Sequence, residues 1–138
     1  MSTQKILFSP LGGTDPISNF RDGSMLHICR VYKPDIVFLY LSKEMCEFHR
    51  KDDRYLYCIR KLSELIDHKF EVKLIERPDL ANVYEFDFFY KEFESLIREI
   101  HQQYDGEILL NISSGTPAMK NALNILSELM GMRLSPIQ

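Results

Sequence analysis

The sequence predicts an α/β domain with a mostly parallel sheet of about five strands and helices on both faces, three layers in all. Three observations carry that expectation. Short apolar runs alternate with longer amphipathic ones along the 138 residues, in the order β-α-β-α-β-α-β-α-β. The run over residues 35–41, DIVFLYL, is apolar almost without a break, as a strand covered on both faces must be. Two of the apolar runs end in turns of glycine and small polar residues, the usual exits of parallel strands into a ligand crevice.

The first strand is expected over residues 5–8 and is ended by Ser9-Pro10. Residues 11–22, rich in Gly, Pro, Asp and Ser, read as a loop. Residues 25–32, MLHICRVY, have helical spacing, and Pro34 stops them. After the central strand, Ser42 stands where a helix cap belongs, with Met45, Phe48, Tyr55, Ile59, Leu62 and Leu65-Ile66 as the apolar positions that follow. The charged run over residues 50–54 either interrupts that helix or forms one face of it. Residues 70–75 alternate with Glu71 and Lys73, which suits a strand nearer an edge. Arg77-Pro78-Asp79 breaks it, and residues 80–85 read as a loop. Residues 86–104 form a long amphipathic helix with Phe89, Phe93, Leu96-Ile97 and Ile100 on one stripe. Asp105-Gly106 is a turn, residues 108–112 a strand and residues 122–130 helical, with Gly131 as a helix stop. Residues 132–137 look like the beginning of a fifth strand.

Composition bounds the function. One domain over residues 1–138 is long enough to bury a core. A net charge of -3 does not point to long nucleic acid as the partner. A short or cyclic oligonucleotide stays open, because backbone N–H groups and a few side chains can hold it. The three cysteines, Cys29, Cys46 and Cys58, are odd in number and show no C-x-x-C spacing, which suits reduced thiols and a cytoplasmic location. No signal peptide is expected, and the apolar runs are about a strand in length, too short to span a bilayer. The strand-like ending suggests a piece cut from a longer protein.

The chemistry concentrates in two stretches. Asn111-Ile112-Ser113-Ser114-Gly115-Thr116-Pro117-Ala118-Met119-Lys120 is a strand end, a tight turn and a helix start in one segment. Thr116 is placed to cap the helix and Pro117 suits its first position, where no N–H is needed. Helix starts leave N–H groups pointing outward, where a phosphate can sit, and Lys120 lies one turn in. A cap alone does not require so many neighbouring small polar residues. The second stretch, Leu11-Gly12-Gly13-Thr14-Asp15-Pro16, follows the first strand. It lacks the G-x-G-x-x-G dinucleotide pattern, but paired glycines let a ligand approach the backbone, and Thr14 and Asp15 offer donors and acceptors. Asp79, Tyr84 and Tyr90 are candidates to reach a ligand or stack on a base. Arg21 and His27 match a loose Arg-x5-His ribonuclease spacing, though that site type needs an all-helical dimer. His49, His68 and His101 show no metal-ligand spacing, and no cofactor is expected. From the residues alone, the chain reads as a receptor for a phosphate-bearing small molecule.

These stretches, SPLGGTDP over residues 9–16, DGSMLHI over residues 22–28 and NISSGTPAM over residues 111–119, resemble the N-terminal sensor domain of type III-A CRISPR ribonucleases of the Csm-six family. That sensor is the CRISPR-associated Rossmann fold, or CARF, domain. The resemblance implies a Rossmann-like fold and a homodimer whose ligand loops face each other across a two-fold axis. It implies a cyclic oligoadenylate ligand, in this subgroup the hexamer, that switches on a C-terminal HEPN ribonuclease domain absent from this chain. It also allows slow, metal-independent cleavage of the ring. Thr116 and Ser114, the latter through the Ser114-Gly115 backbone, would then meet the scissile phosphate. Gly12, Gly13 and Thr14 would hold ribose or phosphate, and Asn111 or Asp79 would read adenine or ribose. Asp15, Ser113, Pro117 and Lys120 complete the expected ligand shell, with no metal, membrane or DNA partner. Two other readings compete: a flavodoxin-like enzyme acting on a nucleotide or phosphate metabolite, and a dimerisation module of a transcription regulator. The nucleotide reading requires Gly13 and Gly115 to meet at one rim.

Overall fold

The computed structural model describes residues 4–130 and 134–137. In chain order it runs β1 (Gln4–Pro10), β2 (Ile17–Ser18), β3 (Arg21–Asp22), α1 (Ser24–Tyr32), β4 (Ile36–Leu41) and α2 (Lys43–Asp52). It continues α3 (Arg54–Ile66), β5 (Glu71–Glu76), α4 (Phe86–Gln103), β6 (Gly106–Asn111), α5 (Pro117–Leu129) and β7 (Leu134–Ile137). Five strands pair in parallel in the order β5-β4-β1-β6-β7. The fold is α/β and Rossmann-like, as the alternating pattern predicts.

Side chains alternate across each strand, so β1 feeds two cores. Ile6 and Phe8 face one side with Ile36, Phe38, Tyr40, Ile108 and Leu110, under α4 and α5. Leu7 faces the other with Val37, Leu39, Leu41 and Leu109, under α1, α2 and α3. This two-sided burial explains why all six residues of β4 are buried and why its sequence shows no alternation. In the first core Phe93 meets Phe8 edge-on at 5.3 Å and Tyr40 at 5.0 Å. Truncating Phe93 to alanine would cost about 3–5 kcal/mol. β5 lies at one edge of the sheet with alternate residues exposed, as its pattern suggests.

The charged run over residues 50–54 is an interruption. Asp53 sits at φ 55 between α2 and α3, and Arg54 holds Asp52 at 2.9 and 2.8 Å. Ser42 occupies the cap position of α2 but makes no side-chain cap bond. The first helical N–H, on Lys43, goes to the carbonyl of Leu80 at 2.9 Å. The segment read as a loop over residues 11–22 contains the β2–β3 hairpin. Its turn puts Asn19 and Phe20 at φ 52 and 63, which two-residue hairpins require. Phenylalanine is not a turn residue, so the sequence carries no such signal. Gly131 and the start of the last strand at residue 132 lie outside the described residues. Cys29, Cys46 and Cys58 are free thiols, the first two buried. Burial pushes the Cys29 thiol up to about 12. Among the described residues no helix is long and apolar enough to cross a membrane.

Candidate functional site

The chain leaves β1 for β4 on one side of it, while β6 lies on the other side, so the sheet's switch point falls between β1 and β6. A cavity of about 250 Å³ opens there, at the carboxyl ends of four strands. The exit of β1 gives Leu11, Gly12 and Gly13, and the exit of β4 gives Ser42, Glu44 and Met45. The segment after β5 gives Leu80, Ala81, Val83 and Tyr84, and the turn after β6 gives Gly115, Thr116 and Met119. Gly13 and Gly115 therefore share one rim.

The two glycine turns also touch. A Cβ on Gly12 would stand 2.7 Å from the Gly115 backbone nitrogen, so no larger residue fits without moving the turn. Gly115 itself has φ 96, a conformation that side chains disfavour.

Beneath the cavity runs a chain of buried polar groups. Asn111, fully buried, donates through Nδ2 to Ser9 Oγ at 3.0 Å and to Ser114 Oγ at 2.9 Å. Its Oδ1 accepts the Ser113 N–H at 2.9 Å. Ser114 is in turn hydrogen-bonded to the Asp15 carboxylate. Asp15 accepts the Gly12 N–H at 2.9 Å and the Met25 N–H at 3.2 Å. The second bond caps α1, whose own cap residue is Gly23, without a side chain. One network thus ties the ends of β1 and β6 to both glycine turns and to α1. Burial raises the Asp15 pKa above the ordinary carboxyl value. The Gly12 N–H, the Ser114 hydroxyl, the Met25 N–H and the charge of Lys120 work against that rise.

Thr116 is the N-cap of α5, with Pro117 in the first turn, as the sequence implies. Its hydroxyl accepts the Met119 N–H at 3.4 Å and donates to the Val83 carbonyl at 2.6 Å. Thr116 therefore fastens the segment after β5 to the turn after β6 across the cavity.

Of the expected site residues, Gly12, Gly13, Gly115 and Thr116 line the cavity. Asn111, Ser113, Ser114 and Asp15 stand behind it in the network, with Asn111, Ser114 and Asp15 buried. Thr14 and Pro117 are exposed and Lys120 half-buried, outside the lining. Asp79 is exposed beside Leu80, which does line it. Tyr84 stands at the rim, whereas Tyr90 packs against the first core. Sequence reading takes Ser9 only as the end of the first strand and the start of a resembling stretch, singles out neither Val83 nor Glu44, and takes Ser42 for a cap alone. Ser42 and Glu44 follow a strand that neighbours β1, so the rule that ligands sit at strand carboxyl ends points to them once the strand order is known. Val83 contributes only a carbonyl, which any residue carries. Among the described residues no His, Cys, Asp and Glu cluster is able to hold a metal ion.

A family model described as the Cas_Csm6 CARF domain matches residues 71–138. The chain is 43% identical over 119 residues to the CRISPR system endoribonuclease Csm6 of Mycobacterium tuberculosis, across 86% of the chain and 28% of that protein. It is 31% identical over 137 residues to Csm6′ of Streptococcus thermophilus, across 97% of the chain and 33% of that protein. Among solved structures it resembles Enterococcus italicus Csm6 bound to cyclic hexa-2′-fluoro-hexa-dAMP, with a TM-score of 0.78 and 29% identity. That match covers 98% of this chain and 33% of the other. The chain thus spans about a third or less of the length of these relatives.

Proposed function

Because the chain belongs to the CARF domains of the Csm6 family, we propose that it senses a cyclic oligoadenylate for a longer ribonuclease. The ring is the hexamer, and each cavity takes one nucleotide unit of it. The observation that carries this reading is the meeting of the Gly12 and Gly115 turns at one cavity. Its weight comes from the Enterococcus italicus neighbour, which is bound to a cyclic hexanucleotide analogue.

Size supports the single unit. A cavity of about 250 Å³ falls below the roughly 300–1,000 Å³ of pockets that enclose a drug-sized ligand. The rest of the ring needs more surface. A second copy of the chain, its loops turned to face the first across a two-fold axis, supplies it. The start of α5 offers backbone N–H groups to a phosphate, and Lys120 one turn on adds positive charge. In the whole protein the signal passes to a C-terminal HEPN domain, for which the greater length of the relatives leaves room.

Slow cleavage of the ring fits the same geometry. A ribose 2′-oxygen attacks the adjacent phosphorus and the bond to the 5′-oxygen breaks. The 2′ proton leaves to water and the 5′-oxygen gains one, leaving a 2′,3′-cyclic phosphate. The protein supplies alignment and charge stabilisation. Thr116 would turn its hydroxyl from Val83 to the phosphate. Ser114 would act through its backbone, since its side chain is held by Asn111 and Asp15. Among the described residues no histidine lines the cavity to act as a base, so the step is slow.

The test is the melting temperature of the chain with cyclic tri-, tetra- and hexa-adenylate. Ligand at 100 times its Kd stabilises the folded state by about 2.7 kcal/mol, and the hexamer should give the largest rise. No rise with any of the three would overturn the sensor reading.

A further inference from the structure

Two helices begin at the cavity, and their caps differ. At α5 the Thr116 hydroxyl is occupied on both sides, accepting from Met119 and donating to Val83. At α2 Ser42 is 5% exposed as a residue, lines the same cavity and makes no cap bond. Among the described residues no other group hydrogen-bonds its hydroxyl. Buried hydroxyls are nearly always partnered. One that opens only onto a cavity is completed by whatever fills it.

The neighbouring residues define what that is. Glu44, in the first turn of α2, lines the cavity too. Its carboxylate only accepts hydrogen bonds and repels a phosphate, so a phosphate is better placed at the start of α5, whose first turn carries no acidic residue. Met45 adds an apolar wall, 7% exposed, and Tyr84 a ring at the rim, 76% exposed. An acceptor, a donor, an apolar wall and an aromatic face together suit a neutral base whose edge carries a donor beside an acceptor.

We propose that the start of α2 is the adenine subsite. Ser42 donates to the ring N1, Glu44 accepts from the exocyclic amino group, and Tyr84 lies against the face of the base. The nucleotide then spans the cavity, phosphate towards α5 and base towards α2. This inference rests on the nucleotide reading of the cavity and adds the specificity-determining residues to it.

Hypoxanthine tests it, because its edge reverses adenine's order: N1 donates and O6 accepts. Binding of cyclic hexa-adenylate and of cyclic hexa-inosinate to the whole chain is measured by calorimetry, for wild type, Ser42→Ala, Glu44→Ala and Tyr84→Ala. Wild type should favour the adenylate by about tenfold or more, in line with the discrimination a paired base contact gives. Ser42→Ala and Glu44→Ala should each bring that ratio towards one, whereas Tyr84→Ala should weaken both rings alike. Circular dichroism establishes that each variant is folded. If wild type binds the adenylate and both alanine variants keep its preference, the subsite is wrong and the sensor reading stands. If wild type binds no cyclic oligoadenylate, the sensor reading fails and the subsite with it.

Discussion

The Gly12 Cα faces the Gly115 backbone so closely that an added Cβ would lie 2.7 Å from the Gly115 nitrogen. The turns after β1 and β6 are therefore a single packed unit, and the cavity is a property of that contact. Gly13, one residue on, has nothing within 4 Å of its Cβ position.

That difference separates fold from function. Gly12→Ala should destabilise the chain by about 1–3 kcal/mol, the usual cost of overpacking, and should abolish ligand binding. Gly13→Ala should leave the urea midpoint nearly unchanged yet weaken ligand binding, since the methyl enters the rim. Equal stability losses in the two variants would show that the contact does not hold the turns together.

Thr116→Ala removes both the Met119 cap and the bond to Val83. A lost cap costs about 0.5–2 kcal/mol, and Thr116→Ser should restore most of it. Cleavage of cyclic hexa-adenylate, followed by chromatography of the products, should fall in Thr116→Ala far more than dimerisation does. Unchanged cleavage would remove Thr116 from the chemistry.

Asn111→Ala should be more severe than its single side chain suggests. It leaves the Ser113 N–H without its acceptor and the buried Ser9 and Ser114 hydroxyls without their donor. A buried group left unpaired costs about 1–3 kcal/mol, so a loss towards or above 3 kcal/mol is expected in chemical denaturation. A loss under 1 kcal/mol would mean that water or rearrangement satisfies the network.

Asp15 adds a pH signature. Its folded pKa lies above the ordinary 3.8, chiefly because burial penalises the charge. The folded chain therefore binds that proton more readily than the unfolded one. The resulting stabilisation is complete below the unfolded pKa and is lost as pH rises through the folded value. Asp15→Asn lacks this titration. Its amide also sets an N–H₂ group against one of the two backbone donors, so it should be the less stable protein throughout. Wild type minus variant stability, from urea midpoints at rising pH from about 4, should shrink as pH rises. A difference that widens would reverse the sign and contradict a raised pKa.

Much of this was legible beforehand, for physical reasons. The parallel sheet announced itself because two-sided burial makes β4 wholly apolar, and an edge position lets β5 alternate. The start of α5 was legible because Thr116 and Pro117 are cap chemistry. The inward role of Asn111 and Asp15 was not. A polar residue at a strand end looks the same whether it faces a ligand or a buried serine, and only the pairing of β1 with β6 brings Ser9 beside Asn111. The Asn19-Phe20 turn was hidden because its positive φ values come from the hairpin and not from the phenylalanine. Ser42 reads as a cap because its residue type and position suit one, and whether its hydroxyl makes the cap bond is a matter of side-chain geometry that the sequence does not carry.

The most direct test is an amide-resolved NMR titration of the chain with cyclic hexa-adenylate. The largest shifts should fall on Gly12, Gly13, Gly115 and Thr116, with Ser42 and Glu44 moving alongside them. Shifts confined to the groove between α3 and β5, around Ile59 and Val72, or no shifts at all, would contradict the site.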